Sequence, residues 1–108
     1  QDKDGQIGET ESLSSGLDYP SVSPLHCLLK DTGRANYTSA TDEEALMAYK
    51  LVTKLEKISP SLEPSHAFHT AIKLAPKLSK DTILVVNSCG HSKKDAKIIK
   101  SRLGYYAA

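Results

Sequence analysis

At 108 residues, with 39% hydrophobic and 25% charged side chains, the chain has the length and composition of one small globular domain. Fourteen Lys and Arg are interspersed with thirteen Asp and Glu, and the formal charge of +1 excludes the basic stripe of a nucleic-acid or anionic-membrane binder. No apolar run approaches the roughly 20 residues that cross a bilayer. Cys27 and Cys89 lie far apart, and with no apolar secretory region at the start they read as free thiols in a reducing compartment. For the same reason Asn36-Tyr37-Thr38, although it fits the N-glycosylation pattern, is not read as an acceptor.

Residues 1–15 carry only Ile7 and Leu13 as large apolar side chains among Gly, Ser, Gln and charge, and read as an extended lead-in to a folded part over 16–108. Pro24 to Lys30 predicts a short helix ended by the turn signal Asp31-Thr32-Gly33, and Ala35 to Ala40 a short strand. Asp42 to Lys57 is the clearest helix: Thr41 and Glu44 form a capping box, and Ala45, Leu46, Tyr49, Val52 and Leu55 recur at helical spacing. A second helix is expected from Pro64, burying Ala67, Phe68, Ala71, Ile72 and Ala75 and stopping at Pro76. Thr82 to Val86 is a continuous β-branched and leucine run that suits a strand covered on both faces. A third helix follows from Lys93 to Leu103, with Ser92 as its expected cap.

This order of helices and strands predicts an α/β fold, a partial open parallel sheet with flanking helices. Two strands supply little apolar surface for three helices, so the pattern is that of an incomplete piece of a larger α/β domain.

Two segments are candidates for chemistry. Glu63, before Pro64, is biased towards a helix cap, where a carboxylate is favoured by the helix dipole whether or not it has a further role. Cys89 ends the apolar run Val85-Val86-Asn87-Ser88-Cys89-Gly90, where a free thiol serves equally as a small packing residue or as a polar group at a sheet end. His66 stands three residues after Glu63, a spacing used by carboxylate metal sites. His69, however, would lie about 120° from Glu63 around the helix, and no paired Cys or His spacing of structural zinc appears.

Read in order, Gly16-Leu17-Asp18-Tyr19-Pro20, Thr41-Asp42-Glu43-Glu44-Ala45-Leu46, Leu62-Glu63-Pro64-Ser65-His66-Ala67 and Val85-Val86-Asn87 resemble the C-terminal portion of the tryptophan synthase beta family, pyridoxal-phosphate enzymes of fold type II. The resemblance implies that Glu63 is the carboxylate beside the cofactor's phenolic oxygen and that Asp18 takes part in closing the active site. It also implies backbone carbonyls near Tyr19 and Ser21 as ligands of a monovalent cation. Cys89, with Gly90 after it, stands where the family has a serine that hydrogen-bonds the pyridine nitrogen, and a thiol is the weaker donor. His91, Ser92 and Lys93 depart from the family's arginine, glycine and aspartate, whereas Gly90, Lys94 and Asp95 keep the pattern.

The family reaction is β-replacement, in which L-serine and indole give L-tryptophan. It needs a lysine that holds the cofactor and a glycine loop that cradles its phosphate. No Lys here follows a His as the family's does, and the six glycines are all isolated. The resemblance therefore implies a truncated, diverged homologue that is inactive and binds no cofactor covalently by itself. Two alternatives stand beside it, a non-catalytic module docking on a full-length beta chain and a gene fragment without selected function. The partners implied are tryptophan synthase alpha or full-length beta chains, and the compartment the cytoplasm, or the plastid stroma of a plant.

Overall fold

Thr41 sets the start of the most regular element of the chain. In the computed structural model, which describes residues 2–106, its side chain accepts a hydrogen bond from the Glu44 amide (3.2 Å) while the Glu44 carboxylate accepts one from the Thr41 amide (2.8 Å). This reciprocal box satisfies two amides that a helix start leaves unpaired. The helix runs over Asp42–Glu56 and ends at Lys57, which takes the left-handed conformation (φ 58°) usually left to glycine.

The described residues divide into two compact units, 1–39 and 40–108. The first contains a 3-10 turn over Ser15–Leu17 and helix α1, Pro24–Asp31, whose start is capped by the Ser23 hydroxyl accepting from the Leu25 amide. No residue of α1 is buried, and Leu25 and Leu28 face solvent. His26 Nδ1 meets the Tyr37 hydroxyl at 2.9 Å with the rings edge to face, tying α1 to the segment that follows it.

The second unit holds α2, Asp42–Glu56, α3, Leu62–Leu74, and α4, Ala96–Leu103, with 3-10 turns over Ala75–Lys77 and Ser92–Asp95. Ala45, Ala48, Tyr49 and Val52 recur at helical spacing on the buried face of α2, which packs on α3. Leu62 and Ile99 complete a small core, each contributing about 1.5–3 kcal/mol by leaving water.

No sheet forms among the described residues, and this overturns the expected partial parallel sheet. Thr82 to Val86 belongs to no strand, and far from being covered on both faces it leaves Ile83 88% and Val85 86% exposed. Ala35 to Ala40 forms no strand either. Among the described residues the one backbone bridge is isolated and antiparallel, between Pro60 and His91. The reason is that β propensity is a local property, whereas a strand exists only when a neighbour supplies partners for its amides and carbonyls. The two apolar runs do not supply them to each other.

The missing sheet also changes what α3 buries. Its sealed residues are Leu62, Pro64 and Ser65 in the first turns, while Ala67, Ile72 and Ala75 are exposed and Phe68 and Ala71 only half-buried. Pro64 is the third residue of α3, not its first, because Leu62 and Glu63 already have helical geometry. Pro76 falls inside the 3-10 turn that prolongs α3. The last helix is preceded by a 3-10 turn at Ser92–Asp95, where the capping atom is His91 Nδ1, accepting from the Lys93 amide, and not the Ser92 hydroxyl.

Candidate functional site

The site is built where two segments, 59–63 and 89–95, run side by side. Ser61 donates its amide to the Gly90 carbonyl (3.2 Å), Ser92 donates its amide to the Ser59 carbonyl (2.9 Å), and the Ser61 hydroxyl donates to the Cys89 carbonyl (3.1 Å). Gly90 turns the chain at φ 108°, and a Cβ there would lie 3.1 Å from Ser61 Oγ, so both conformation and space favour glycine. Beneath this seam the hydroxyls of Tyr49, Ser59 and Ser92 form a chain of hydrogen bonds, 3.1 Å and 2.6 Å, that continues from Ser92 to the Tyr106 hydroxyl at 3.3 Å. Each of the three lies in the interior, where an unpaired hydroxyl is costly.

The seam delivers Lys94 and Asp95 to the first turn of α3. Asp95, 4% exposed, accepts a hydrogen bond from the Leu62 amide through Oδ2 (3.0 Å), satisfying one of the amides that the helix start leaves open. Its other oxygen accepts from Lys94 Nζ at 2.8 Å, and the same ammonium donates to Glu63 Oε1 at 2.9 Å. Partial burial disfavours the Lys94 ammonium, but its hydrogen bonds to Asp95 and Glu63 and their charges outweigh it and its pKa is raised. Two carboxylates at one helix N-terminus would repel each other. Lys94 between them, with the partial positive charge of the helix end, holds both in place.

Glu63, Cys89 and Gly90 thus lie on two neighbouring segments of one unit. Glu63 is largely covered, at 16% side-chain exposure, whereas Cys89 is exposed. Asp18, Tyr19 and Ser21 belong to the 1–39 unit and are all exposed; the Asp18 amide closes the 3-10 turn onto the Ser15 carbonyl. His66 serves α3 itself, its Nδ1 donating to the Leu62 carbonyl (2.8 Å), and His69 faces α2, its Nε2 3.3 Å from Glu44 Oε1 without hydrogen-bond alignment. Among the described residues no group of three His, Cys, Asp or Glu could hold a metal ion.

Sequence reasoning missed the roles of Lys94, Asp95, Ser59, Ser61 and Ser92. Lys94 and Asp95 had left a signal, since they keep the family pattern where the residues before them do not. The serines had none, because a serine in a loop-forming stretch is ordinary until its partner some thirty positions away is known.

The chain is 53% identical over 105 residues to the tryptophan synthase beta chain of Cereibacter sphaeroides, a match covering 97% of this chain and 26% of that protein. It is 54% identical over 103 residues to the beta chain of Rhodopseudomonas palustris (95% and 26%), and 51% over 104 residues to that of Bordetella petrii (96% and 26%). The chain therefore spans about a quarter of the length of the curated relatives it matches. No family profile matches it. Among the described residues no helix is long and apolar enough to cross a membrane.

Proposed function

Because the chain belongs to the tryptophan synthase beta family, over a stretch about a quarter of its relatives' length, we propose that it forms the part of that enzyme which positions a proton-exchanging carboxylate, Glu63, for the conversion of L-serine and indole to L-tryptophan. The observation that carries this reading is the Lys94 ammonium bonded to both Glu63 and Asp95 at the start of α3. A carboxylate held by an ammonium at a helix N-terminus has a defined orientation, which a group that exchanges a proton with substrate requires.

The residues present fit one edge of pyridoxal phosphate. Cys89 offers an exposed thiol as donor to a ring nitrogen, and Glu63 is a carboxylate on the adjoining segment. Its anchor is not among them: the residues before α1, α2, α3 and α4 are Ser23, Thr41, Ser61 and Asp95, so among the described residues no helix opens on a glycine loop. Bound pyridoxal phosphate supplies the electron sink for bond-making and bond-breaking on the amino acid. Within this chain Glu63 exchanges the proton and Lys94 is a positioning residue. Asp18 takes part in closing the site, and backbone carbonyls near Tyr19 and Ser21 hold a monovalent cation. In this reading the 108 residues alone form no tryptophan, their partners are the remaining length of a beta chain and an alpha chain, and their compartment is the cytoplasm or a plastid stroma.

The test is a chimaera in which these residues replace the matching quarter of a full-length beta chain. The chimaera should make tryptophan from serine and indole, and Glu63→Gln in it should lower kcat by about 10²-fold or more. An active chimaera indifferent to Glu63→Gln would refute the role of the carboxylate, and an inactive chimaera that still binds cofactor would refute the proposed function.

A second reading rests on Thr82 to Val86, an exposed apolar run with no strand beside it among the described residues. Such a run is suited to adding to the edge of another sheet, so the chain would dock on a full-length beta chain and contribute no chemistry. Co-purification with a beta chain, without any gain in activity, is the outcome that favours it.

A further inference from the structure

Asp95 stands at the N-cap of α4, where an aspartate ordinarily turns its carboxylate onto the amides of its own helix. It makes no such bond there. Instead the side chain, only 5% exposed, crosses to α3, where Oδ2 accepts from the Leu62 amide (3.0 Å) while Oδ1 accepts from Lys94 Nζ (2.8 Å). A residue that gives up a local cap to serve a helix start thirty-three positions away breaks a local rule, and such breaks concentrate at functional sites.

The two groups it holds flank Glu63. Leu62 is the residue before Glu63 in the chain, and the Lys94 ammonium donates to Glu63 Oε1 at 2.9 Å. Lys94 by itself is a poor clamp, because its side chain is 49% exposed and an ammonium on a flexible stem fixes little geometry in an exposed pair. Asp95 cannot swing away with it, since its second oxygen is tied to the backbone of α3 in the interior. Control therefore runs from Asp95 through Lys94 to Glu63.

We propose that Asp95 is the positioning residue that fixes the direction of the Glu63 carboxylate towards substrate, through the Lys94 ammonium and the Leu62 amide. This rests on the proton-exchanging role assigned to Glu63 above. A proton passes only when donor and acceptor meet within hydrogen-bond reach, so a carboxylate free to turn spends less time in the reactive direction.

The discriminating change is Asp95→Asn, whose amide oxygen still accepts from Leu62 while the charge that holds Lys94 is gone. In the 108-residue chain the three-bond couplings about the Cα–Cβ and Cβ–Cγ bonds of Glu63 should pass from those of one rotamer to averaged values. Lys94→Gln should produce the same averaging with Asp95 in place, and it carries the test by the same couplings where Asp95→Asn prevents folding. In the chimaera with a full-length beta chain, Asp95→Asn should lower kcat about tenfold or more while leaving the KM for serine within about twofold. Adding Lys94→Gln to it should cost nothing further, whereas independent losses would add. Couplings that stay those of one rotamer in both variants, or a kcat unchanged by Asp95→Asn in a chimaera that Glu63→Gln impairs, would overturn the positioning role. A chimaera indifferent to Glu63→Gln would overturn the reading of Glu63 itself, and the positioning role with it, whatever the couplings show.

Discussion

Ser59 and Ser92, thirty-three positions apart, share a hydroxyl–hydroxyl hydrogen bond of 2.6 Å between Tyr49 on one side and Tyr106 on the other. Replacing either serine by alanine leaves a buried hydroxyl without its partner, a loss of about 1–3 kcal/mol. We expect Ser92→Ala to lower the denaturant midpoint by that amount, and Ser59→Ala/Ser92→Ala together to cost less than the two single changes added. Additive losses would show that the two hydroxyls are energetically independent.

The carboxylates at the start of α3 should separate in their effects. Asp95 is nearly sealed and bonded to the Leu62 amide, so Asp95→Ala removes a cap and exposes Lys94 to the loss of a partner. We expect a cost of about 1–2 kcal/mol. Glu63→Gln removes the charge that pairs with Lys94, whose side chain is 49% exposed, and should cost less than about 1 kcal/mol. Urea unfolding of both variants measures the difference. A larger loss from Glu63→Gln than from Asp95→Ala would make Glu63 a structural residue and remove the basis for its proposed role.

The capping box of α2 gives a pH signature. The hydrogen bond from the Thr41 amide is the largest influence on Glu44 and holds its pKa below the ordinary 4.5, against a smaller opposing effect of burial. A carboxyl with a depressed pKa in the folded chain stabilises it above the unfolded pKa and loses that contribution as pH falls through the folded value. The first turn of α2 should therefore loosen only below about pH 4.5. The Thr41 amide resonance should report that titration, and Glu44→Gln should abolish it.

Ile83 and Val85 stand almost fully in water on an apolar run outside any strand, the kind of segment by which chains add to one another edge to edge. Sedimentation velocity should show concentration-dependent association, and Ile83→Lys/Val85→Lys should suppress it without lowering helix content. Association that persists in the double variant would move the contact to the exposed face of α3.

What could be read from the sequence follows the range of the interactions. The Thr41–Glu44 box and the helix behind it are complete within a few residues, and both are found as expected. Thr82 to Val86 carries strand propensity of the same local kind, yet its state depends on a neighbour that no residue of the run encodes. Ser92 was expected as a helix cap because hydroxyls cap helices; its tertiary partner Ser59 draws it inside and leaves the capping to His91. The grip of Lys94 on Glu63 links residues thirty-one positions apart and becomes visible only when the seam between the two segments closes.

That seam bears on how the chain would respond to a nick. Residues 78–89 contain no helix or strand, and Lys80 is exposed within them, an accessible substrate for trypsin. Cleavage at Lys80 would divide the 40–108 unit between the two pieces. The bonds from Ser59 to Ser92, Ser61 to Gly90 and Leu62 to Asp95 all cross from one piece to the other. The halves would remain associated without a peptide bond between them, so the molecule would keep its size on a gel-filtration column after it had become two bands under denaturing conditions.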